Sequence, residues 1–194
     1  MINQNFIYFG ALIFFLGSID YFVETIKGKV KPNRVTWFLW GLAPMIAFSA
    51  QIKQGVGLQS LLTFMVGFVP FLILSGSFIN KKSYWKIKKF DLICGFFSII
   101  GLILWQITKI GNIAILFSII ADFIAGWPTF VKSFKFPETE NYLIYLGNAI
   151  FALLTLLTIK VWSFEYYSFS LYLFVITLII AVFIKFKVKK LFYS

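Results

Sequence analysis

Asp122 lies about ten residues from either end of an apolar run, Ile113 to Val131. An acid at that depth in hydrocarbon costs roughly 3 kcal/mol on insertion scales, so it faces a cavity or a partner. Asp122 is therefore a candidate to bind a polar substrate or exchange a proton on a translocation path. The alternative is a hydrogen bond tying its helix to a neighbour through a serine or tyrosine. Asp20 and Glu24 stand four apart near the end of the first apolar run, on one helix face and close to Lys27. They read as a cytoplasmic gate for a cation, or as snorkelling acids satisfied by loop lysines. Asn148 offers an amide suited to hydroxyl or amide recognition, or to holding helices together. Trp40, one turn inside its run, is placed to stack on a ring-shaped substrate. Pro44, Pro70 and Pro128 fall inside apolar runs, where each removes a backbone donor and bends the helix. They are candidate hinges, or static kinks that let helices pack.

What the chain lacks narrows the chemistry. It has no His and one Cys, Cys94, inside an apolar run. That argues against zinc or haem ligation and excludes a disulfide within the chain. No Gly-rich phosphate loop points to an ATP-driven pump, and the last apolar run holds no lysine for a Schiff base. No cofactor is expected, and Asp122 alone supplies no constellation for an enzyme.

The elements that must position these residues are membrane helices. The 194 residues are 60% hydrophobic and 13% charged, with a mean hydropathy of +0.90; ordinary globular chains are about 25% charged. A span takes about 20 apolar residues. Seven fit here: about Phe6–Ile26, Val35–Gln51, Val56–Ile79, Leu92–Thr108, Ile113–Val131, Asn141–Ile159 and Tyr166–Ile184. The first has no basic residue before it and no small-residue cleavage site, so it reads as a retained span. The net charge of +11 sits in the loops and the tail. That is topology information and not a nucleic-acid surface. With the amino end outside, the cytoplasmic segments hold 4, 5, 2 and 4 Lys or Arg, against Lys53, Lys109 and Lys160 on the other side. The positive-inside bias then predicts an external N-terminus and a cytoplasmic C-terminus.

An internal copy is also visible. Asp20 aligns with Asp122, and Pro32, Trp37, Trp40 and Ala47 align with Pro137, Tyr142, Tyr145 and Ala152 once three extra residues are allowed in the second loop. The copies fall on spans 1–3 and 5–7 with span 4 as connector. This predicts a parallel repeat with a path between the halves. The expected units are 1–79, a first three-helix repeat; 80–110, a basic loop and linker helix; and 111–194, a second repeat with a basic tail.

This three-one-three plan resembles the SWEET sugar transporters and the wider PQ-loop family. The stretch PTFVKSFKFPETE, Pro128 to Glu140, is similar to that family's Pro-Thr, aromatic, Lys and Ser-Thr-Glu pattern. The first half carries Glu24-Thr25 where the family has Pro-Thr. Where the resemblance implies sugar-facing asparagines, span 3 offers Ser60 and Thr63 and span 7 offers Thr177. The resemblance implies an all-α carrier working by alternating access. Asp122, Asn148, Trp40, Thr63 and Thr177 would lie at the substrate, Asp20 and Glu24 at the gate, and Pro44, Pro70 and Pro128 at the hinges. Expected partners are a small solute such as a sugar, the lipid bilayer and a second copy of the chain, with no nucleic acid. Two other readings stay open: a vitamin or nucleoside uptake carrier of the same plan, and a non-transporting scaffold or receptor. High Lys, Ile and Phe usage suggests an AT-rich bacterial genome, and hence a bacterial cytoplasmic membrane.

Overall fold

The computed structural model describes residues 2–83, 85–108 and 110–188. Lys109 and the tail lysines Lys189 and Lys190, counted above, lie outside the described residues. Seven α-helices occur among the described residues: α1 (Phe6–Lys27), α2 (Arg34–Lys53), α3 (Ser60–Ile79), α4 (Lys89–Thr108), α5 (Gly111–Lys135), α6 (Tyr142–Thr158) and α7 (Phe164–Phe186). A 3₁₀ turn at Pro137–Thr139 joins α5 to α6. Five helices, α1, α2, α3, α5 and α7, are long and apolar enough to cross a bilayer. Their outward faces carry large apolar side chains such as Phe9, Leu16, Phe68 and Val175, all exposed. The interior instead collects small and polar groups: Ser18, Thr36, Gln51, Thr63, Ser118, Thr155 and Thr177 are all buried. An apolar exterior over a partly polar interior is the arrangement lipid imposes. The chain is an all-α membrane protein.

The expected spans and the observed helices differ most at two ends. Val56–Gln59 forms a turn and not the start of α3. Gly55 takes φ +79°, in the left-handed region that glycine tolerates, and Ser60 donates its hydroxyl to the Gly57 carbonyl at 2.8 Å. At the other place α5 runs past Val131 to Lys135, with Phe136, the residue before Pro137, as its C-cap. Lys132, expected in a solvated basic loop, is thus in the last turn of a helix and is buried.

The helices pack in matching ways. α3 packs against both α1 and α2, and α7 against both α5 and α6; α1 lies on α6 and α2 on α5. Replacing 1, 2 and 3 by 5, 6 and 7 turns each of these contacts into another of them. α4 stands aside and packs mainly on α5. Two helix caps set the register. Asn33 accepts from the Val35 and Thr36 amides at the start of α2, and Asn141 from the Leu143 amide at the start of α6. These caps are 108 positions apart. The offsets of 102 and 105 taken from the sequence are therefore corrected: Trp37 corresponds to Tyr145, Trp40 to Asn148, and Phe14 to Asp122.

Close approach of α1 and α6 rests on glycine. A Cβ on Gly17 would meet the Leu143 carbonyl oxygen at 2.9 Å and the Ile144 Cα at 3.3 Å, and one on Gly147 would meet the Phe14 Cα at 3.2 Å. Backbone cannot yield as a flexible side chain does. Gly17→Ala should therefore destabilise the protein by about 1–3 kcal/mol, the usual range for overpacking. Gly57→Ala, with open space around the added carbon, should leave stability unchanged. Thermal unfolding of both variants in detergent checks this.

Candidate functional site

A cavity of about 50 Å³ lies at the centre of the bundle, lined from every helix except α4. The space left is that of a few waters, so a solute with more heavy atoms enters only as the helices part around it. α5 supplies Asp122, which is 11 residues from the start of its helix and 13 from the end. α2 supplies Trp37, Trp40 and Pro44; α6 supplies Ile144, Tyr145 and Asn148; α7 supplies Tyr172, Thr177 and apolar neighbours. Val66, Val69 and Pro70 of α3 and Phe14 of α1 complete it. Asp122, Asn148, Trp40, Thr177, Pro44 and Pro70, scattered over more than 130 positions of sequence, are thus brought to one place. Pro128 is buried in α5 off the lining. Thr63 is also buried but away from the cavity. It precedes Val66 of the lining by three residues, about one helical turn, and its hydroxyl is buried without a hydrogen-bond partner.

Asp122 is 3% exposed, and its Oδ2 accepts a hydrogen bond from the Tyr172 hydroxyl at 2.7 Å. No basic residue lines the cavity among the described residues. The Trp40 indole N–H donates to the Asp122 backbone carbonyl at 3.2 Å, and one turn earlier the Thr36 hydroxyl donates to the Ala125 carbonyl at 2.8 Å. Gly126 makes this possible, because a Cβ there would meet the Trp40 indole at 2.8 Å. The rings form a continuous wall: Trp37 lies 5.5 Å from Trp40, edge to face, and Trp40 lies 6.4 Å from Tyr145. Pro44 and Pro70 remove the N–H groups that would otherwise occupy the carbonyls of Trp40 and Val66.

Below the cavity, at the end where the basic loops gather, a second polar layer closes the bundle. Lys132 Nζ pairs with Glu140 Oε1 at 2.6 Å, both side chains buried, and it also donates to the Lys31 carbonyl. Glu140 Oε2 accepts from the hydroxyls of Tyr21 at 2.8 Å and Tyr145 at 3.1 Å. Lys132 further lies 4.7 Å from the centre of the Trp85 ring. Beside this group the Asn141 amide nitrogen donates to Asp20 Oδ2 at 2.6 Å and Glu24 Oε2 at 2.5 Å. Both acids are satisfied by one amide and not by loop lysines. Asp20, expected as the mate of Asp122, is seven residues from the end of its helix, where Asp122 is thirteen. It therefore sits about 9 Å nearer that end and does not reach the cavity. At the opposite end the Gln51 amide donates to the Glu165 carbonyl at 3.1 Å.

Sequence reasoning missed Tyr172, Tyr145, Trp37, Lys132, Glu140 and Asn141. Tyrosines in an aromatic-rich membrane chain carry no mark that separates a ring facing lipid from one bonded to a buried acid. Lys132 and Glu140 lie eight apart across a proline turn, which looked like a solvated loop. The available signal was that Glu140 and Asn141 directly precede a helix, where a cap and a charge are both useful. Comparison with models of protein families, with curated protein sequences and with solved structures finds no match. What the fold and this interior define is a class, an all-α membrane protein with a buried carboxylate at its centre.

The Lys132–Glu140 pair is tested by substitution. Removing one partner of a buried pair orphans a charge and costs about 3–5 kcal/mol. Lys132→Met and Glu140→Gln should each lower the unfolding temperature sharply. The double variant should lose less than the two single losses added together, measured by a double-mutant cycle in detergent.

Proposed function

We propose that the protein is a membrane carrier or facilitator for a small polar solute, working by alternating access. The bundle α1–α3 (residues 1–79) and the bundle α5–α7 (residues 111–194) are two like-oriented repeats, and 80–110, with α4, is the linker that restores their orientation. The chain crosses a bacterial cytoplasmic membrane seven times, with the N-terminus outside and the C-terminus inside. Asp122, Asn148, Trp40 and Thr177 contact the solute. The layer of Lys132, Glu140, Tyr21 and Asn141, with Asp20 and Glu24, is the cytoplasmic gate. Pro44 and Pro70, at the cavity wall, and Pro128 are the points at which helices flex.

One observation carries this reading: a buried carboxylate without a basic partner in a cavity midway along the bundle, with a polar layer between it and the end where the basic loops gather. A scaffold or receptor gains from this acid only the Tyr172 hydrogen bond between α7 and α5, worth about 1 kcal/mol, against the larger cost of burying a carboxylate without a basic partner. The matching contacts of α1–α3 and α5–α7 support two units that rock against each other, since the main contacts between the units, α1 on α6 and α2 on α5, are counterparts of one another. The distribution of Lys and Arg supports the orientation. The five rings on the lining favour, as a second reading, a carrier for a flat aromatic vitamin or nucleoside.

The test is uptake into liposomes containing the purified protein. Solute should accumulate above the level of empty liposomes, and Asp122→Asn should reduce the initial rate at least tenfold while the variant still folds. A proton-coupled cycle further requires that an imposed pH gradient drives uptake by the native protein and not by Asp122→Asn. Gradient-independent uptake assigns a facilitator. No uptake over a panel of sugars, nucleosides, vitamins and amines would leave the carrier reading without support.

A further inference from the structure

We infer that the solute held in the central cavity is a small organic ammonium ion, with Asp122 as its counter-ion and the faces of Trp37, Trp40, Tyr145 and Tyr172 as its walls. This rests on the carrier reading for the purpose of the cavity, but the chemistry of the lining carries it separately. A sugar presents donors and acceptors in equal measure and needs both in return. On this lining free donors are few. Each hydroxyl on it has already given its proton away: Tyr172 to Asp122 at 2.7 Å, Tyr145 to Glu140 at 3.1 Å, and Thr177 to the Leu173 carbonyl at 2.7 Å. The Trp40 N–H is likewise directed to the Asp122 carbonyl. The donors left are the Trp37 indole, which packs on Tyr21 at 5.0 Å, and the Asn148 amide.

The acceptors are what carry the charge. They are the Asp122 carboxylate and the Asn148 Oδ1, which is buried without a hydrogen-bond partner. Acceptors, π faces and one carboxylate without a basic neighbour describe a cation site. Rings attract an ammonium group through their quadrupoles, most strongly where water is excluded. The carboxylate supplies the charge that makes entry from water neutral overall. A metal ion fits less well, because hard cations take six or more oxygen ligands and most of this wall is carbon.

The probe is choline, set against its neutral carbon isostere 3,3-dimethylbutan-1-ol and against glucose, with the full-length protein in detergent at constant ionic strength. Quenching of tryptophan fluorescence should saturate with choline and respond at least tenfold more weakly to the isostere and to glucose. Asp122→Asn should weaken choline binding at least tenfold, Asp122→Glu much less, and Trp40→Leu several-fold. If Asp122→Asn does not fold, Asn148→Leu, which removes an acceptor and keeps the charge, should weaken it several-fold. Equal binding of choline and the isostere overturns the proposal, as does an Asp122→Asn variant that folds and binds choline normally. Uptake of choline into liposomes separates the two levels. Saturable binding without uptake defeats the carrier and leaves the cation site. Uptake of glucose that choline does not inhibit defeats the cation site and leaves the carrier.

Discussion

A carboxylate at the middle of a lipid-spanning helix requires protein on every side of it. Asp122 meets that requirement through α7, whose Tyr172 hydroxyl bonds Oδ2, and through α2, whose Trp40 rests on the helix turn around Gly126. The fold follows from this constraint more than from apolar burial, since lipid tails are as apolar as leucine and do not drive helices together. Small residues and polar contacts do that work instead. Gly17 and Gly147 let α1 and α6 touch at their backbones, and Thr36 and Trp40 fasten α2 to α5 through side chain to carbonyl bonds. The same reasoning explains why the exterior is the more uniformly greasy surface.

The two polar layers are joined by single residues. Tyr145 has its ring on the cavity wall and its hydroxyl on Glu140, which is paired with Lys132. Glu140 in turn receives Tyr21 from α1, and its neighbour Asn141 receives the two acids of α1. Movement of α6 against α1 or α5 thus disturbs the closing layer and the cavity wall together. Breaking any of these bonds leaves a buried charged group short of a partner, which is costly.

Much of this was legible in the sequence. Seven apolar runs predicted seven helices within a few residues, because length and hydropathy are the physical requirements for the element itself. The midpoint acid, Asn148, Trp40, Pro44 and Pro70 were singled out by type and depth and Thr177 through the family resemblance, and the structure brings all six to one cavity. What failed was register. Aligning Asp20 with Asp122 matched two acids of unlike depth, and the true marker, a pair of capping asparagines at Asn33 and Asn141, is too weak a signal to rank above two carboxylates. Partners also escaped. That Asp20 and Glu24 share one amide, or that Lys132 turns inward to Glu140, depends on how α6 enters beside α1, which no single-sequence pattern encodes.

The corrected register gives the departure from symmetry a meaning. At the depth where α5 carries Asp122, α1 carries Phe14, and both side chains line the cavity. A faithful repeat would have set two carboxylates across about 50 Å³, where like charges cannot both persist without a cation or a proton between them. One half keeps the charge and the other supplies a ring. A similar division runs through the closing layer: 108 positions separate Glu24 from Lys132, so an acid in one half corresponds to a base in the other. Two copies that each carried the acid would repel where the ends of α1 and α5 meet the loop before α6. α1–α3 and α5–α7 thus make matching contacts while differing in charge at these two depths.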